Sequence, residues 1–362
     1  MERSPFPYQG PLMPEQVTGR EELRRDLAQR IADRRLTALI GPRRYGKTSV
    51  LKRVAADLED VDSQAVWIDL YELTSMSDLA ARVDSGLNAV TGTLREMLGT
   101  IASTMSLNLG VVRAELSRSA RRRPDPALTL QGLLDLLVRA AERRKLFVVF
   151  DEFSGIAQVQ GAAGALRTAL QHHFQSLGIV FAGSEPSTMR TLFGAHGEPF
   201  FSQADLVEIG PLEDAELHRI IEEGFEGTGR TTGGITSQIT ALAQGHPQRA
   251  MQLADAVWRL VEPGGRAGAI VWEHALTEVR GNVEGGFERQ YSSLAAGHQK
   301  VLRTVATDGS IYGTAAQFVD LNAGTASAAA AALVGDGVLR RSDKRLSVID
   351  PLLADWVRRR FA

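Results

Sequence analysis

The sequence predicts an α/β fold: a parallel sheet sandwiched by helices, followed by a helical region. Three observations predict it. Short apolar runs of strand type alternate with helical spacing between Leu36 and Gly210, the pattern of parallel strands buried on both faces. The first of these runs leads through a glycine loop directly into a helix. After Pro211 the strand-type runs stop and helical spacing dominates.

Taken in order, LTALI (36–40) is the first strand. GPRRYGKT follows as a loop, and SVLKRVAADL places Val50, Leu51, Val54 and Leu58 at helical spacing. AVWIDL (65–70) is the second strand, and KLFVVFDE is a third that ends in two acids. GIVFAGS (178–184) is the fourth strand, after a helix over about 162–177, and DLVEIG (205–210) the fifth. Between the second and third strands, 91–123 reads as a helical insertion with a basic exposed end at Arg121, Arg122 and Arg123. A helical domain punctuated by Gly245, His246 and Pro247 runs to Ser293. The tail gives helices, a hairpin in VLRRSDKRLSVID, and PLLADWVRRRF. The expected domains are therefore 1–210, 211–293 and 294–362.

Composition removes several classes. Of 362 residues 44% are hydrophobic and 23% charged, which is wrong for a disordered, collagenous or membrane-embedded chain. With no cysteine there is no disulfide framework, thiolate zinc site, iron–sulfur cluster or cysteine nucleophile. A reducing, cytoplasmic location fits. No stretch approaches the roughly 18 apolar residues of a spanning helix. The seven histidines never fall in H-E-x-x-H spacing, and a formal net charge of -2 leaves any nucleic-acid surface local.

The chemistry lies in two motifs. Gly41, Pro42, Arg43, Arg44, Tyr45, Gly46, Lys47 and Thr48 match G-x-x-x-x-G-K-[ST], between a strand and a helix that continues with Ser49. Such a loop and helix N-terminus converge backbone N–H groups on phosphate oxygens. Lys47 is expected to bridge the β- and γ-phosphates and Thr48 to ligate Mg²⁺. In Phe147–Glu152 four apolar residues bury the strand and the acids emerge at its end. Asp151 is expected to hold the Mg²⁺ shell and Glu152 to orient and deprotonate the attacking water. Ser184, at the end of the fourth strand, is a candidate sensor of the γ-phosphate, although serine is also common before turns such as Ser184-Glu185-Pro186. Together these residues predict binding of ATP and Mg²⁺, and its hydrolysis.

The order GPRRYGKTS, WIDLYELTS, FVVFDEF, FAGSEPSTM and GHPQR, preceded by FPYQGPLMPEQVTGREEL, resembles the archaeal-type ATPase family, a branch of the STAND and AAA+ P-loop ATPases. The resemblance covers nearly the whole chain. It implies an AAA+/STAND-type parallel sheet, a helical lid domain and a C-terminal winged-helix domain, with the fourth strand between the first and third. It also implies that Val17, Gly19, Arg20 and Pro247 enclose the adenine. Arg249 is implied as a lid arginine near the phosphates, and Arg190 as an arginine after the sensor; ordinary surface pairing is the competing role for both.

The resemblance leaves two functions open. One is an ATP-driven switch that engages a protein partner or a second copy of itself; the other is a DNA-associated ATPase. The segment in the recognition-helix position, TASAAAAALV (325–334), carries no Arg, Lys, Asn or Gln to contact base edges, so sequence readout is not expected. Arg340, Arg341, Lys344, Arg345 and Arg358 to Arg360 suffice for phosphate contact only. Finally, related ATPases often carry an arginine before the fifth strand, where this chain has Gln203. An uncharged side chain there predicts slow basal turnover.

Overall fold

Five strands, β1 (Thr37–Ile40), β2 (Gln64–Asp69), β3 (Leu146–Asp151), β4 (Gly178–Gly183) and β5 (Asp205–Glu208), form one sheet in the order β2-β3-β4-β1-β5 in the computed structural model. Every pairing is parallel. β1, β3 and β4 are buried at all positions, which is why their sequences run apolar without alternation. The register sets Ile40 beside Gly183 and Glu208, and Asp69 beside Asp151. The strands thus end together, and β4 lies between β1 and β3, as the resemblance implied. The structure describes residues 2–59, 63–105, 125–311, 323–342 and 345–361; Arg121 to Arg123 and Lys344 lie outside the described residues.

The chain divides into two compact units. The sheet unit holds Met13–Gly41 and Lys47–Ile209. Its helices are α1 (Glu21–Ala32), α2 (Lys47–Glu59), α3 (Met76–Ala89), α4 (Gly92–Thr104), α5 (Pro126–Arg143), α6 (Ala162–Leu170) and α7 (Pro186–Gly194). α6 ends sooner than its apolar spacing predicts. After Leu170 the chain continues in tight turns closed by His173 N–H to Leu170 O and Ser176 N–H to His173 O, which bring it to β4 without a further helical turn. In the core, Phe150, Phe153, Phe181, Phe193 and Phe200 form one aromatic cluster, with Phe153 and Phe181 ring centres 4.4 Å apart.

The second unit holds Met1–Leu12, Pro42–Gly46 and Gly210–Ala362. It contains α8 (Asp214–Glu226), α9 (Thr236–Ala243), α10 (Pro247–Arg259), α11 (Ala269–Ser293), α12 (Ala296–Asp308) and α13 (Ala323–Gly335), then the antiparallel hairpin β6 (Leu339–Ser342) and β7 (Arg345–Val348), and α14 (Pro351–Phe361). A single apolar cluster joins residues such as Phe225, Leu253 and Val257 to Leu302, Leu353 and Trp356. Phe6 also belongs to it, packing on Phe225 at 5.4 Å between ring centres. Among the described residues no helix is long and apolar enough to cross a membrane.

Candidate active site

The site is built where β1, β3 and β4 end. β1 runs into Gly41, where a Cβ would lie 2.3 Å from the Ile209 side chain and 2.7 Å from its carbonyl oxygen. Only glycine lets the chain pass so close to the residue that follows β5. Gly46 has φ +87°, in the left-handed region that glycine enters without strain, and turns the loop into α2. Lys47, the first residue of α2, is 5% exposed, and its Nζ donates to Gly41 O at 2.9 Å. The ammonium is thereby held along the phosphate-binding loop.

One residue on, Thr48 Oγ1 donates to Asp151 Oδ2 at 2.8 Å. The other carboxylate oxygen accepts the backbone N–H of Glu152 at 3.0 Å. Burial raises the Asp151 carboxyl above its ordinary range; the Glu152 charge adds to this, while the Thr48 hydrogen bond and the Lys47 charge oppose it. A buried acid beside a hydroxyl, both hard oxygen donors, is the donor set a magnesium ion takes.

Glu152 leaves the strand with φ 49°, a left-handed turn unusual for a residue with a side chain. The turn reverses the chain into the 3-10 segment Phe153–Gln158, and Phe153, buried in the aromatic cluster, fixes it from below. The Glu152 carboxylate accepts a hydrogen bond of 2.5 Å from Ser184 Oγ. Ser184 follows the end of β4 and is 5% exposed. Gly41, Lys47, Thr48, Asp151, Glu152 and Ser184 therefore meet at the ends of three adjacent strands, the region where open parallel sheets receive ligands.

Residues 29–190 match the family described as AAA domain. The fold is that of an AAA+ P-loop ATPase. The Walker-type ATPase paby2304 of Pyrococcus abyssi is similar over 98% of this chain and 99% of its own, with 18% identity and a TM-score of 0.73. The ORC2 protein of Aeropyrum pernix, in ADPNP–ADP complexes, is similar over 97% and 96% of the two chains, with 14% identity and a TM-score of 0.61. The ORC1 protein of the same organism, in complex with DNA, covers 95% and 93% at 14% identity, with a TM-score of 0.50. No curated protein matches the chain.

The other residues that the sequence singled out are placed as follows. Val17 is buried, Gly19 has φ +83°, and Arg20 has φ 57° and caps α1. The 3-10 turn just before them packs on α2, where Arg53 Nη1 donates to Pro14 O at 3.2 Å. Arg190, on α7, pairs with Glu208 at 2.5 Å, and both side chains are exposed. Ser49 is buried on α2. Gln203 is exposed before β5 and donates to Phe201 O at 3.3 Å.

In the second unit Pro42, Arg43, Arg44 and Tyr45 form the rest of the loop, with Tyr45 only 2% exposed. Pro247 opens α10. Arg249 is 5% exposed and donates through Nε and Nη2 to both oxygens of Asp350, and through Nη1 to Gln252 Oε1 at 2.6 Å. The structure gives it a carboxylate partner that the sequence reading did not supply. The signal was weak: Asp350 is 101 positions away.

The C-terminal arginines differ from one another in availability. Arg358 donates to Ala306 O at 3.0 Å, Arg359 pairs with Asp355 at 3.0 Å, and Arg360 pairs with Glu288 at 3.1 Å. Burial works against ionisation of Asp355, but the hydrogen bonds from Arg280 and Arg359 outweigh it and hold the carboxyl below its usual range. These arginines tie α14 to α11 and α12 and are not a bare phosphate-binding row. On the hairpin Arg341 and Arg345 are exposed, and among the described residues the exposed side chains of α13 other than glycine are Thr325, Ser327, Ala328 and Ala331.

Proposed function

We propose that the protein binds ATP with magnesium, hydrolyses it slowly, and works as a nucleotide-dependent switch acting on a protein partner or a second copy of itself. The observation that carries this reading is the bond between Thr48 at the head of α2 and Asp151 at the end of β3, because it joins the two motifs into one oxygen-donor site beside the Lys47 ammonium. Thr48 and Asp151 would hold the magnesium ion, which when bound supplies positive charge against the phosphate oxygens. Lys47 offers a further positive charge and the loop amides offer donors. Glu152 positions a water and takes its proton as the oxygen attacks the terminal phosphorus, while the bond from that phosphorus to the β–γ bridging oxygen breaks and ADP and inorganic phosphate are released. The Ser184 hydroxyl fixes the Glu152 carboxylate, and on displacement by nucleotide it is free to donate to a phosphate oxygen. Arg190 and Arg249 are proposed sources of further charge in the transition state, and Val17, Gly19, Arg20 and Pro247 are proposed to hold the base. Gln203 adds no charge, which accounts for the slow turnover in this reading.

The test is calorimetry of Mg-ATP binding by the unaltered protein and by Lys47→Ala. The unaltered protein should bind and the folded variant should lose at least about a hundredfold in affinity; equal affinity would refute the assignment. In the same reading, residues 211–293 act as a lid and 294–362 as a winged helix. The exposed Arg341 and Arg345 support a second reading, non-sequence-specific contact with DNA phosphates, which fits the complex of the similar ORC1 protein with DNA. A DNA-stimulated, salt-sensitive turnover would favour it.

A further inference from the structure

A buried polar connection in the second unit includes, beside Arg249, two groups that the chemistry above does not use, His246 and Asp350. Tyr45, at the tip of the phosphate-binding loop, meets His246 edge-on, with ring centres 4.9 Å apart and planes at 66°. Both rings are almost fully buried, at 2% and 3% exposure. His246 is the residue before α10, and its Nδ1 accepts the backbone N–H of Arg249 at 3.4 Å, which caps the helix and leaves Nε2 as the protonated nitrogen. Burial lowers the His246 pKa to about 4; the Arg249 and Arg44 charges push the same way and Asp350 opposes them. The ring is neutral in neutral solution and acts by packing and by its acceptor.

The same turn of α10 carries the Arg249–Asp350 pair. The Arg249 guanidinium grips both Asp350 oxygens. Asp350 in turn accepts the backbone N–H of Leu352 at 3.1 Å, at the start of α14 and immediately beyond β7. One aspartate thus joins the lid helix to both C-terminal elements. A buried ion pair is a poor source of net stability, since desolvation offsets its attraction. It does, however, make one arrangement of α10 against α14 far better than its neighbours.

We propose that His246 is a positioning residue for the phosphate-binding loop, and that through Arg249 and Asp350 it makes nucleotide occupancy and the seating of β7 and α14 a single equilibrium. Loop amides that turn toward phosphate must carry the Tyr45 ring with them. In a close-packed interior that ring cannot move unless His246 moves too. His246 is the cap of α10, so its displacement shifts the turn that holds Asp350. The inference rests on the nucleotide reading above. It adds a direction for the signal, from loop to C-terminal hairpin, and by linkage the reverse direction as well.

The experiment is hydrogen exchange of the full chain over 345–361, with and without magnesium and a slowly hydrolysed ATP analogue, run beside calorimetry on the same samples. In the unaltered protein the analogue should change exchange in this segment at least about threefold. His246→Asn keeps a side-chain acceptor at the cap but removes the ring against Tyr45. It should still fold and bind the analogue, yet the exchange response should vanish. Asp350→Asn keeps the cap of α14 while removing its charge, and should shift analogue affinity by at least about threefold, which a purely structural residue remote from the ligand would not do. Failure of the unaltered protein to bind the analogue would sink the nucleotide reading and the coupling with it. Binding with no exchange response in the unaltered protein, or a full response in His246→Asn, would sink the coupling alone.

Discussion

The two units bury their polar groups in different ways. In the sheet unit Thr48, Asp151, Glu152 and Ser184 stand around the ends of β3 and β4, strands that are buried throughout and otherwise apolar. In the second unit Arg249 and Asp350 are paired inside the packing of helices, and no motif marks the aspartate. The first arrangement places chemistry at an opening, whereas the second places specificity in a core. The difference teaches that buried charge in this chain is not confined to the residues expected to touch phosphate.

The largest effect expected from this contrast is on stability. Asp350→Ala leaves Arg249 buried without its carboxylate and should destabilise the chain by about 3 to 5 kcal/mol in denaturant unfolding. Glu208→Ala, which breaks the exposed pair with Arg190, should cost less than about 1 kcal/mol. Equal losses would erase the distinction between the two settings.

Next comes pH. His246 holds a folded pKa of about 4, below its ordinary 6.5, so between those values the unfolded chain takes up a proton that the folded chain refuses. Its contribution is complete above about pH 6.5, shrinks as pH falls toward 4, and levels off below. A gap of that size corresponds to about 3 kcal/mol. Urea unfolding at pH 7 and at pH 4.5 should reveal the loss, and His246→Asn should flatten it. An unchanged pH slope in that variant would show that the titrating group lies elsewhere.

The chemical site should respond in rate more than in stability. Glu152→Gln should lower single-turnover hydrolysis about 10²-fold, with nucleotide affinity kept; near-normal turnover would place the base on another residue. Smaller still is Ser184→Ala, which removes a hydroxyl donor to a carboxylate and should slow turnover about tenfold, on the scale of roughly 1.5 kcal/mol for a charge-assisted hydrogen bond. Were Ser184→Ala to match Glu152→Gln, the serine would be acting on more than the position of the glutamate.

The same contrast explains what could be read in advance. Gly41 to Thr48, and Asp151 with Glu152, are contiguous, and their chemistry depends on local backbone: a glycine turn, a helix start and a strand end. The parallel sheet was accessible too, since the runs of β1, β3 and β4 lack the alternation of a one-sided sheet, while the place of the fourth strand came from the family resemblance. The Ser184–Glu152 bond was legible only as far as the strand end, because the choice between phosphate and carboxylate as the serine's partner depends on a left-handed turn at Glu152. The partner of Arg249 was not legible. Nothing around Asp350 distinguishes it from the other acids until α10 and α14 are packed together. The arginines of α14 likewise read as a basic row, and the structure joins them to acids on α11 and on α14 itself and to a carbonyl of α12.

Phe6 carries a consequence of a different kind. It is 1% exposed and seated on Phe225, where a Cβ on the neighbouring Gly224 would fall 2.5 Å from its ring. The slot for this ring does not exist until α8 has been made. At roughly 5 to 20 residues per second, the ribosome exposes Phe6 on the order of ten seconds or more before its partner emerges. During that interval the Phe6 side chain has nowhere native to go, while the sheet elements between the two positions are still being synthesised. Closure of the second unit is therefore a late event in the life of the chain, and a fragment that starts at residue 210 would keep an open aromatic slot at α8.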